Sequence, residues 1–240
     1  MKFPRIRKPR RLAFAEEFRF VGLDEAGRGP VIGPMVIAIC ALTHRDRRWC
    51  VRHNVTDSKK IPAKRRYQLA DALRDRCWHK VAVIHPPEID EAVKNRRLTL
   101  NGLEIKYMSR LIEEFLKDHP NSPAQIMLDS PVRKTNNFRN LISHLSGWND
   151  LESLKAENKA DLNYRHVGAA SIIAKTIRDA HIKKINYLVN CNVGSGYCSD
   201  PLTKKFIAAA DSGNPHIRWS WATAQKSNND SNNQPIDPLF

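Results

Sequence analysis

The sequence is poor in cysteine, and its cysteines are not spaced as a metal-binding or disulfide framework. There are five cysteines among 240 residues, none of them in a Cys-x-x-Cys pair, and their number is odd. Disulfide-stapled domains and structural zinc sites need paired or closely spaced cysteines. Reduced thiols are typical of the cytoplasm, so we predict a cytoplasmic location.

Long apolar runs are also missing. No segment approaches the roughly 18–20 consecutive apolar residues that span a bilayer. The first residues, MKFPRIRKPRRLAF, are basic but lack the uninterrupted apolar stretch of a secretory signal. We therefore predict no membrane segment, and we expect residues 1–17 to form a basic arm that contacts phosphates.

Acidic residues are scarce relative to basic ones. Lysine and arginine number 40 against 25 aspartates and glutamates, which gives a formal net charge of +15 and an isoelectric point near 9.8. Such an excess favours a polyanionic partner, most often nucleic acid. A ribosome-associated protein, or one that is merely basic, would have the same balance, so charge alone leaves these alternatives open.

The apolar pattern predicts a domain that mixes strands and helices. Five segments predict strands, and they read FRFVGLD, MVIAICAL, KVAVIHPP (ended by its prolines), QIMLDS and LESLKAENKAD. The segment VGAASIIAKTIRDAHIKKINYL predicts a long helix, apolar on one side and basic on the other. This mixture indicates an α/β or α+β domain with helices packed on a central sheet.

Three further helices carry start or stop signals. Pro62 suits the first turn of a helix through AKRRYQLADALRDRCW. Asn101 and Glu104 have the spacing of a capping-box variant and predict a helix that begins there. The segment SDPLTKKFIAAADSG predicts a helix that begins after its first serine or aspartate and ends before its glycine.

Four acidic residues lie at the ends of the predicted elements. Asp24 and Glu25 end the first strand, Asp129 ends a later strand, and Asp161 precedes the long helix. Carboxylates that meet in one place repel each other unless cations intervene, and oxygen ligands suit Mg²⁺ or Mn²⁺. Two such ions about 3.5–4 Å apart activate water and stabilise the leaving oxygen in phosphodiester cleavage. Spacing alone also fits four ordinary surface acids.

Six short motifs between residues 21 and 223 resemble one family, in that family's order. They read GLDEAGRGPVIGP, TDSKKI, MLDS, AENKADLNYRHVGAASIIAKTIRD, GSGYCSDP and RWSWAT. Together they resemble the type 2 ribonucleases H, the ribonuclease HII family, and the last two look more like its archaeal and eukaryotic branch. The chain departs from the family pattern at Gly168, where serine is common, and at Cys198, where proline is common. Neither position bears a carboxylate, so the expected activity is unaffected.

The resemblance implies a fold and a reaction. The fold is the ribonuclease H-like α/β fold, a five-stranded mixed sheet flanked by helices, with a helical C-terminal extension. The reaction is endonucleolytic hydrolysis of the phosphodiester 5′ to ribonucleotides, in RNA–DNA hybrids and at single ribonucleotides embedded in duplex DNA, which leaves 3′-hydroxyl and 5′-phosphate ends. The implied catalytic and metal-binding residues, for two Mg²⁺ or Mn²⁺ ions, are Asp24, Glu25, Asp129 and Asp161.

The resemblance also implies substrate-binding residues. They are a ribose-sensing loop of Gly27, Arg28 and Gly29, a tyrosine that packs on the next deoxyribose, Tyr197, and a phosphate-binding pair, Ser58 and Lys59. On the residues alone, the same positions fit a tight structural turn, a packing tyrosine and a solvated loop.

Basic residues of the long helix allow two interpretations. Lys175, Arg178, Lys183 and Lys184 lie on or beside its polar face. They form either a solvated surface or a track for the duplex backbone. His166, near Asp161, is predicted to pack locally or face solvent rather than bind a metal.

We divide the chain into four segments. They are a basic arm over 1–17, a catalytic domain over 18–190, a helical C-terminal region over 191–225 and a disordered tail over 226–240. In the tail, Gln234 and Phe240 loosely fit a sliding-clamp motif of archaeal relatives, although Asp237 stands where that motif has an aliphatic residue. We expect a monomer.

Two other functions stay open at this point. One is ribonuclease HIII or another ribonuclease H-like phosphotransferase, and the pairing of the Gly-Arg-Gly turn with Tyr197 favours ribonuclease HII over it. The other is a nucleic-acid-binding protein with an inactive site, which the presence of all four acids disfavours.

Overall fold

Five strands form one mixed sheet. They are β1 Phe20–Ala26, β2 Met35–Leu42, β3 Trp78–Ile84, β4 Gln125–Asp129 and β5 Leu154–Glu157. The structure is a computed structural model that describes residues 17–94 and 98–226, and its strand order is β3-β2-β1-β4-β5. β1 is antiparallel to β2 and β2 to β3, whereas β1, β4 and β5 are parallel. The predicted five-stranded mixed sheet is confirmed.

Helices cover both faces of this sheet. They are α1 His44–Arg52, α2 Ala63–Arg76, α3 Pro86–Lys94, α4 Leu100–Asp118, α5 Thr135–Ser146, α6 Ala160–Asn163, α7 Arg165–Leu188 and α8 Pro201–Ala209, with a short 3-10 helix at Ser58–Lys60. α4 and α5 contribute to the apolar cluster on one face of the sheet, and α1, α2 and α7 to the cluster on the other. No described helix is long and apolar enough to cross a membrane.

The sequence of β2 explains the two clusters. All eight residues of β2 are buried, and its sequence is accordingly a continuous apolar run. Val36 and Ala38 belong to the cluster under α7, whereas Ile37 and Ile39 belong to the cluster under α4. Because successive side chains of a strand point to opposite faces, β2 joins both halves of the core.

Close packing of α7 on β1 depends on glycine. A Cβ atom on Gly22 would lie 2.3 Å from the backbone carbon of His166, so a larger residue would push the helix away. Small residues follow at the start of α7. The close packing of α7 on β1 brings Ser171 within hydrogen-bonding reach of Asp24. The Gly-Leu-Asp-Glu order of β1 therefore serves both packing and the site.

The C-terminal region packs beside the loop that follows β1. Val31 and Ile32 share an apolar cluster with Ile182 of α7, Ile207 of α8 and Ile217. Ile32 also forms an isolated β-bridge with Ile217. The last part of the chain is thereby held against a loop near its beginning.

Several sequence-based boundaries need correction. α1, α3, α5 and α6 are not among the predicted helices, and the start of α6 falls within the segment LESLKAENKAD, which is predicted as a strand. In α1 the charged sequence hides a capping box, in which Thr43 and Asp46 bond each other's backbone amides. Pro86 begins α3 rather than only ending a strand. The predicted capping box at α4 is wrong, because Thr99 caps that helix and Glu104 is buried.

The last predicted helix is confirmed at its start, and it ends before its glycine, as predicted. Asp200 caps α8 through the amides of Leu202 and Thr203. The helix ends at Ala209, before Gly213. The predicted arm and tail lie outside the described residues, except for Glu17 and Lys226, and the division into domains remains a prediction.

Candidate active site

Three carboxylates meet at the edge of the sheet where the parallel strands end. Asp24 and Glu25 belong to the end of β1, and Asp129 is the last residue of β4. The parallel register pairs Leu23 with Leu128, so Asp24 and Asp129 follow side by side. One oxygen of each carboxylate lies within 4.8 Å of those of the other two, close enough to share a metal ion. We call these three residues the carboxylate cluster.

The cluster is costly in its ionised, metal-free form. Burial, and then the charges of Glu25 and Asp129, raise the pKa of Asp24 well above its ordinary value. Burial also raises the pKa of Glu25. Burial and the charge of Glu25 together raise the pKa of Asp129 to about 7. One Glu25 oxygen, Oε2, is buried without a hydrogen-bond partner among the described residues. A hard cation would satisfy that oxygen and cancel the repulsion.

Asp161 lies beside the cluster rather than within it. It stands in the first turn of α6, after Lys159 in a left-handed conformation at φ 59°. Its charge contributes to the raised pKa values of Asp24 and Asp129, so it is near both. Its own pKa is raised by burial and then by Asp57, a residue that sequence reasoning missed.

The loop before α2 reaches the cluster in two ways. Ser58 is buried, and its hydroxyl is 3.1 Å from that of Ser171, which in turn bonds Asp24. Lys59 is exposed, and its charge lowers the pKa of Glu25, of Asp129 and of Asp161. Lys59 forms no ion pair with any described residue and is a cation beside the carboxylates, while Ser58 connects the loop to α7.

The Gly-Arg-Gly turn after β1 is held from behind by the C-terminal region. Arg218 is fully buried and donates hydrogen bonds to the carbonyls of Gly27 at 2.6 Å and Arg28 at 2.8 Å. Trp221 donates from its indole nitrogen to the carbonyl of Gly29 at 3.0 Å. All three carbonyls of the turn are thus bonded, which fixes the shape of its backbone.

Glycine is required at the first position of the turn. Gly27 has φ 83°, in the left-handed region, and a Cβ there would lie 2.7 Å from the carbonyl oxygen of Pro34. Both the conformation and the lack of space exclude larger residues.

The side chain of Arg28 is bound to α4. Its Nε lies 3.2 Å from Oε1 of Glu104, and its Nη2 donates to Asn101 at 2.5 Å. Burial and then the Glu25 charge raise the pKa of Glu104 to about 8, which Arg28 opposes. Sequence reasoning did not place this carboxylate at the site, although its position on the apolar stripe of α4, four residues before the buried Met108, is a signal.

Tyr197 stands next to the turn, over a buried arginine. A Cβ atom on Gly29 would be 4.0 Å from the Tyr197 ring, which is 40% exposed. The guanidinium of Arg178 lies 5.5 Å from the ring centroid and donates to the carbonyl of Ser195 at 2.7 Å. Arg178, predicted to lie on or beside the polar face of α7, is only 3% exposed, so it is not part of a solvated surface.

The other predicted basic residues of α7 differ in whether they contact a neighbouring side chain. Lys175 is paired with Asp179 at 2.6 Å, and Lys183 lies over the ring of Tyr67 at 4.6 Å. Lys184 is exposed. His166 is buried, and burial lowers its pKa to about 4. Its ring packs near Phe20 and Tyr164, which agrees with the predicted packing role.

Comparison with known proteins identifies the family. The family model described as "Ribonuclease HII" matches residues 21–224. The chain belongs to the ribonuclease HII family. It is therefore a type 2 ribonuclease H enzyme, and the family match favours this assignment over ribonuclease HIII.

Archaeal members are similar along most of their length. The ribonuclease HII of Methanococcus maripaludis (strain C5) is 40% identical over 209 residues, which cover 85% of each chain. The crystal structure of ribonuclease H2 from Pyrococcus horikoshii OT3 has a TM-score of 0.78 and 33% identity, and covers 90% of this chain and 99% of that one. A ribonuclease HII of Archaeoglobus fulgidus, solved in complex with PCNA, has a TM-score of 0.71 and 31% identity over 85% of this chain and 95% of that one. The ribonuclease H-like fold and the archaeal branch are thereby confirmed.

Proposed function

We propose that this enzyme hydrolyses the phosphodiester on the 5′ side of ribonucleotides in RNA–DNA hybrids and at single ribonucleotides embedded in duplex DNA. The products would carry 3′-hydroxyl and 5′-phosphate ends. One juxtaposition carries the proposal: the carboxylate cluster stands at the end of β1, and the braced Gly-Arg-Gly turn follows it directly in the chain.

The cluster fits divalent metal ions. Asp24, Glu25 and Asp129 offer oxygen ligands within 4.8 Å of one another. Asp161, which is close enough to raise the pKa of Asp129, would contribute to holding a second ion. Mg²⁺ or Mn²⁺ bound there would supply an activated water and stabilise the leaving oxygen. Before substrate arrives, the same carboxylates favour a cation because they are buried together.

The Gly-Arg-Gly turn would sense the ribose. Because Gly27 and Gly29 have no side chains, the backbone can approach a sugar closely, and the 2′-hydroxyl is the group that distinguishes RNA from DNA. Tyr197 borders the turn and would pack on the following deoxyribose. The exposed Lys59 would bind a backbone phosphate, and Ser58 would hold the Lys59 loop against α7.

An end-labelled DNA duplex with one ribonucleotide tests the reaction. We expect a nick 5′ to the ribonucleotide with Mg²⁺ or Mn²⁺, no nick with EDTA, and none in an all-DNA duplex. Asp129→Asn should abolish cleavage and keep duplex binding, while the matched change at an exposed acid, Asp211→Asn, should keep both. Cleavage of long hybrids alone would refute single-ribonucleotide recognition, and full activity of Asp129→Asn would refute the metal site.

A sliding clamp is the proposed protein partner. The similarity to the Archaeoglobus fulgidus protein, solved in complex with PCNA, supports it. The candidate segment, residues 226–240, lies outside the described residues apart from Lys226. A pull-down of clamp by the full chain and by a chain without this segment tests the idea, and equal capture by both would remove the tail from it.

A further inference from the structure

Helix α1 presents an arginine face to solvent. Its exposed arginines are Arg45, Arg47, Arg48 and Arg52. Within the described part of the chain, none of them forms an ion pair. Arg47 lies over the ring of Phe20, 5.0 Å from its centroid. Among the described residues, Arg45, Arg48 and Arg52 make no such contact with a ring.

The only acid of α1 points away from this face. Asp46 is 7% exposed and accepts hydrogen bonds from Thr43 in the capping box. Its second oxygen is 3.5 Å from Arg76 of α2. Asp46 therefore stabilises the start of α1 and the packing of α2, and it does not neutralise the exposed arginines.

Helix α4, in contrast, carries exposed bases that are paired with acids. Its exposed bases Lys106, Arg110 and Lys117 each have an acid within 3.6 Å. These pairs neutralise a surface of similar composition on the opposite side of the sheet. The arginine face of α1 differs from this α4 surface because its four exposed arginines form no ion pair within the described part of the chain.

The chemistry of the face fits phosphates better than lipid. A helix that lies on a membrane needs an exposed apolar side. In α1 the apolar Cys50 packs in the core, and Trp49 is half-buried, stacked on His53 at 4.2 Å and under Arg76 at 5.1 Å. Only Val51 is an exposed large apolar residue. Planar guanidinium groups suit phosphate oxygens.

The face is joined to the active site along the chain, although α1 begins beside Phe20, at the opposite end of β1 from the carboxylate cluster. After α1 the chain passes Val55, whose carbonyl accepts a hydrogen bond from Arg165 at 2.8 Å, and reaches Lys59 beside the carboxylate cluster. A helix of nine residues is about 13.5 Å long, and phosphates of one strand are spaced about 3.4 Å apart along the axis. The face can therefore meet roughly three or four phosphates.

We propose that the arginine face of α1 binds the backbone of the duplex that flanks the cleaved ribonucleotide. This inference rests on the proposed function for the identity of the substrate. The contacts with phosphates would not distinguish one sequence, or one sugar, from another, because the phosphate groups are the same in all of them. Such contacts strengthen binding and make it depend on salt.

Two triple variants test the inference. Arg45, Arg48 and Arg52 are changed to alanine in one, and Lys106, Arg110 and Lys117 in the other, so both lose the same charge. Arg47 is kept because it packs on Phe20. Dissociation constants for a duplex with one ribonucleotide are measured in EDTA over a range of NaCl concentrations, and cleavage is measured with Mg²⁺.

We expect the α1 variant to flatten the plot of log affinity against log salt by about 2.7, at about 0.9 for each lost phosphate contact. Its KM should rise while kcat at saturation and discrimination against all-DNA duplex stay unchanged. The α4 variant should match the wild type. Equal losses in both variants would reduce the effect to net charge and overturn the inference, as would an unchanged slope in the α1 variant. Failure of the wild type to cleave would count instead against the proposed function.

Discussion

Replacing Asp129 by asparagine should stabilise the metal-free protein while it abolishes cleavage. Asparagine keeps the shape of the side chain and the oxygen that accepts the hydrogen bond from the amide of Ala160 at 2.6 Å. It removes one negative charge from the carboxylate cluster. Since burial and the charge of Glu25 both disfavour that negative charge in the folded protein, its removal should raise the free energy of unfolding.

The size of the gain follows from the pKa. Folding raises the pKa of Asp129 from 3.8 to about 7. At about 1.4 kcal/mol for each pKa unit, ionising Asp129 at alkaline pH costs the folded state up to about 4 kcal/mol. The Asp129 charge and the Glu25 charge disfavour each other, so part of this free-energy cost belongs to the pair rather than to Asp129 alone.

The sign of the pH dependence is fixed by proton counting. Between the two pKa values the folded protein holds more protons than the unfolded chain, so its free energy of unfolding falls as pH rises. The cost is absent below about pH 4 and complete above about pH 7. The gain from Asp129→Asn should therefore be largest near about pH 8 and vanish near about pH 4.

Urea denaturation in EDTA at both pH values measures the gain. Asp211→Asn, the same change at an exposed acid, serves as the control and should alter little. Adding Mn²⁺ should stabilise the wild type more than Asp129→Asn, because only the wild type keeps the full ligand set. A variant that is less stable than the wild type at alkaline pH would refute the reasoning about charge repulsion.

Three further predictions concern single residues. Trp221→Phe removes a hydrogen bond to the Gly-Arg-Gly turn, so kcat/KM on the single-ribonucleotide duplex should fall roughly fivefold. The control Trp219→Phe loses a hydrogen bond to the carbonyl of Asn214 instead and should leave kcat/KM unchanged. Gly22→Ala should lower the free energy of unfolding by about 2 kcal/mol or more because its Cβ meets α7, whereas Gly213→Ala, in open space, should not. Because the pKa of Glu104 is raised from 4.5 to about 8, Glu104→Gln should change stability little below about pH 4 and raise it near about pH 9, as urea denaturation can measure.

Strand periodicity and strand-end acids predict the centre of this molecule well. The apolar runs of β1 and β2 are recognisable because both are buried, and the parallel pairing of β1 with β4 brings Asp24 and Asp129 together as expected. Local signals of this kind need no knowledge of distant residues. Asp161, which the motif resemblance groups with the other acids, lies beside the cluster instead.

Long-range contacts account for what the sequence does not reveal. Arg178 lies on a helix whose basic residues suggest a solvated face, yet the C-terminal loop covers it and accepts its hydrogen bond. Glu104 has the spacing of a helix cap, yet it binds Arg28, 76 residues earlier in the chain. Helix α1 was missed because its charges outnumber its apolar residues. Periodicity cannot report which distant segment covers a face.

The hydrogen bonds behind the Gly-Arg-Gly turn also set an order for maturation. The partners of the turn lie 190 and 192 residues further along the chain, at Arg218 and Trp221. During synthesis at about 5–20 residues per second, the segments that carry the three clustered acids leave the ribosome well before the groups that shape the turn. If the turn senses ribose as proposed, a nascent or truncated chain that ends before Arg218 would hold the acids without a braced turn to recognise the sugar, and substrate selection would be completed last.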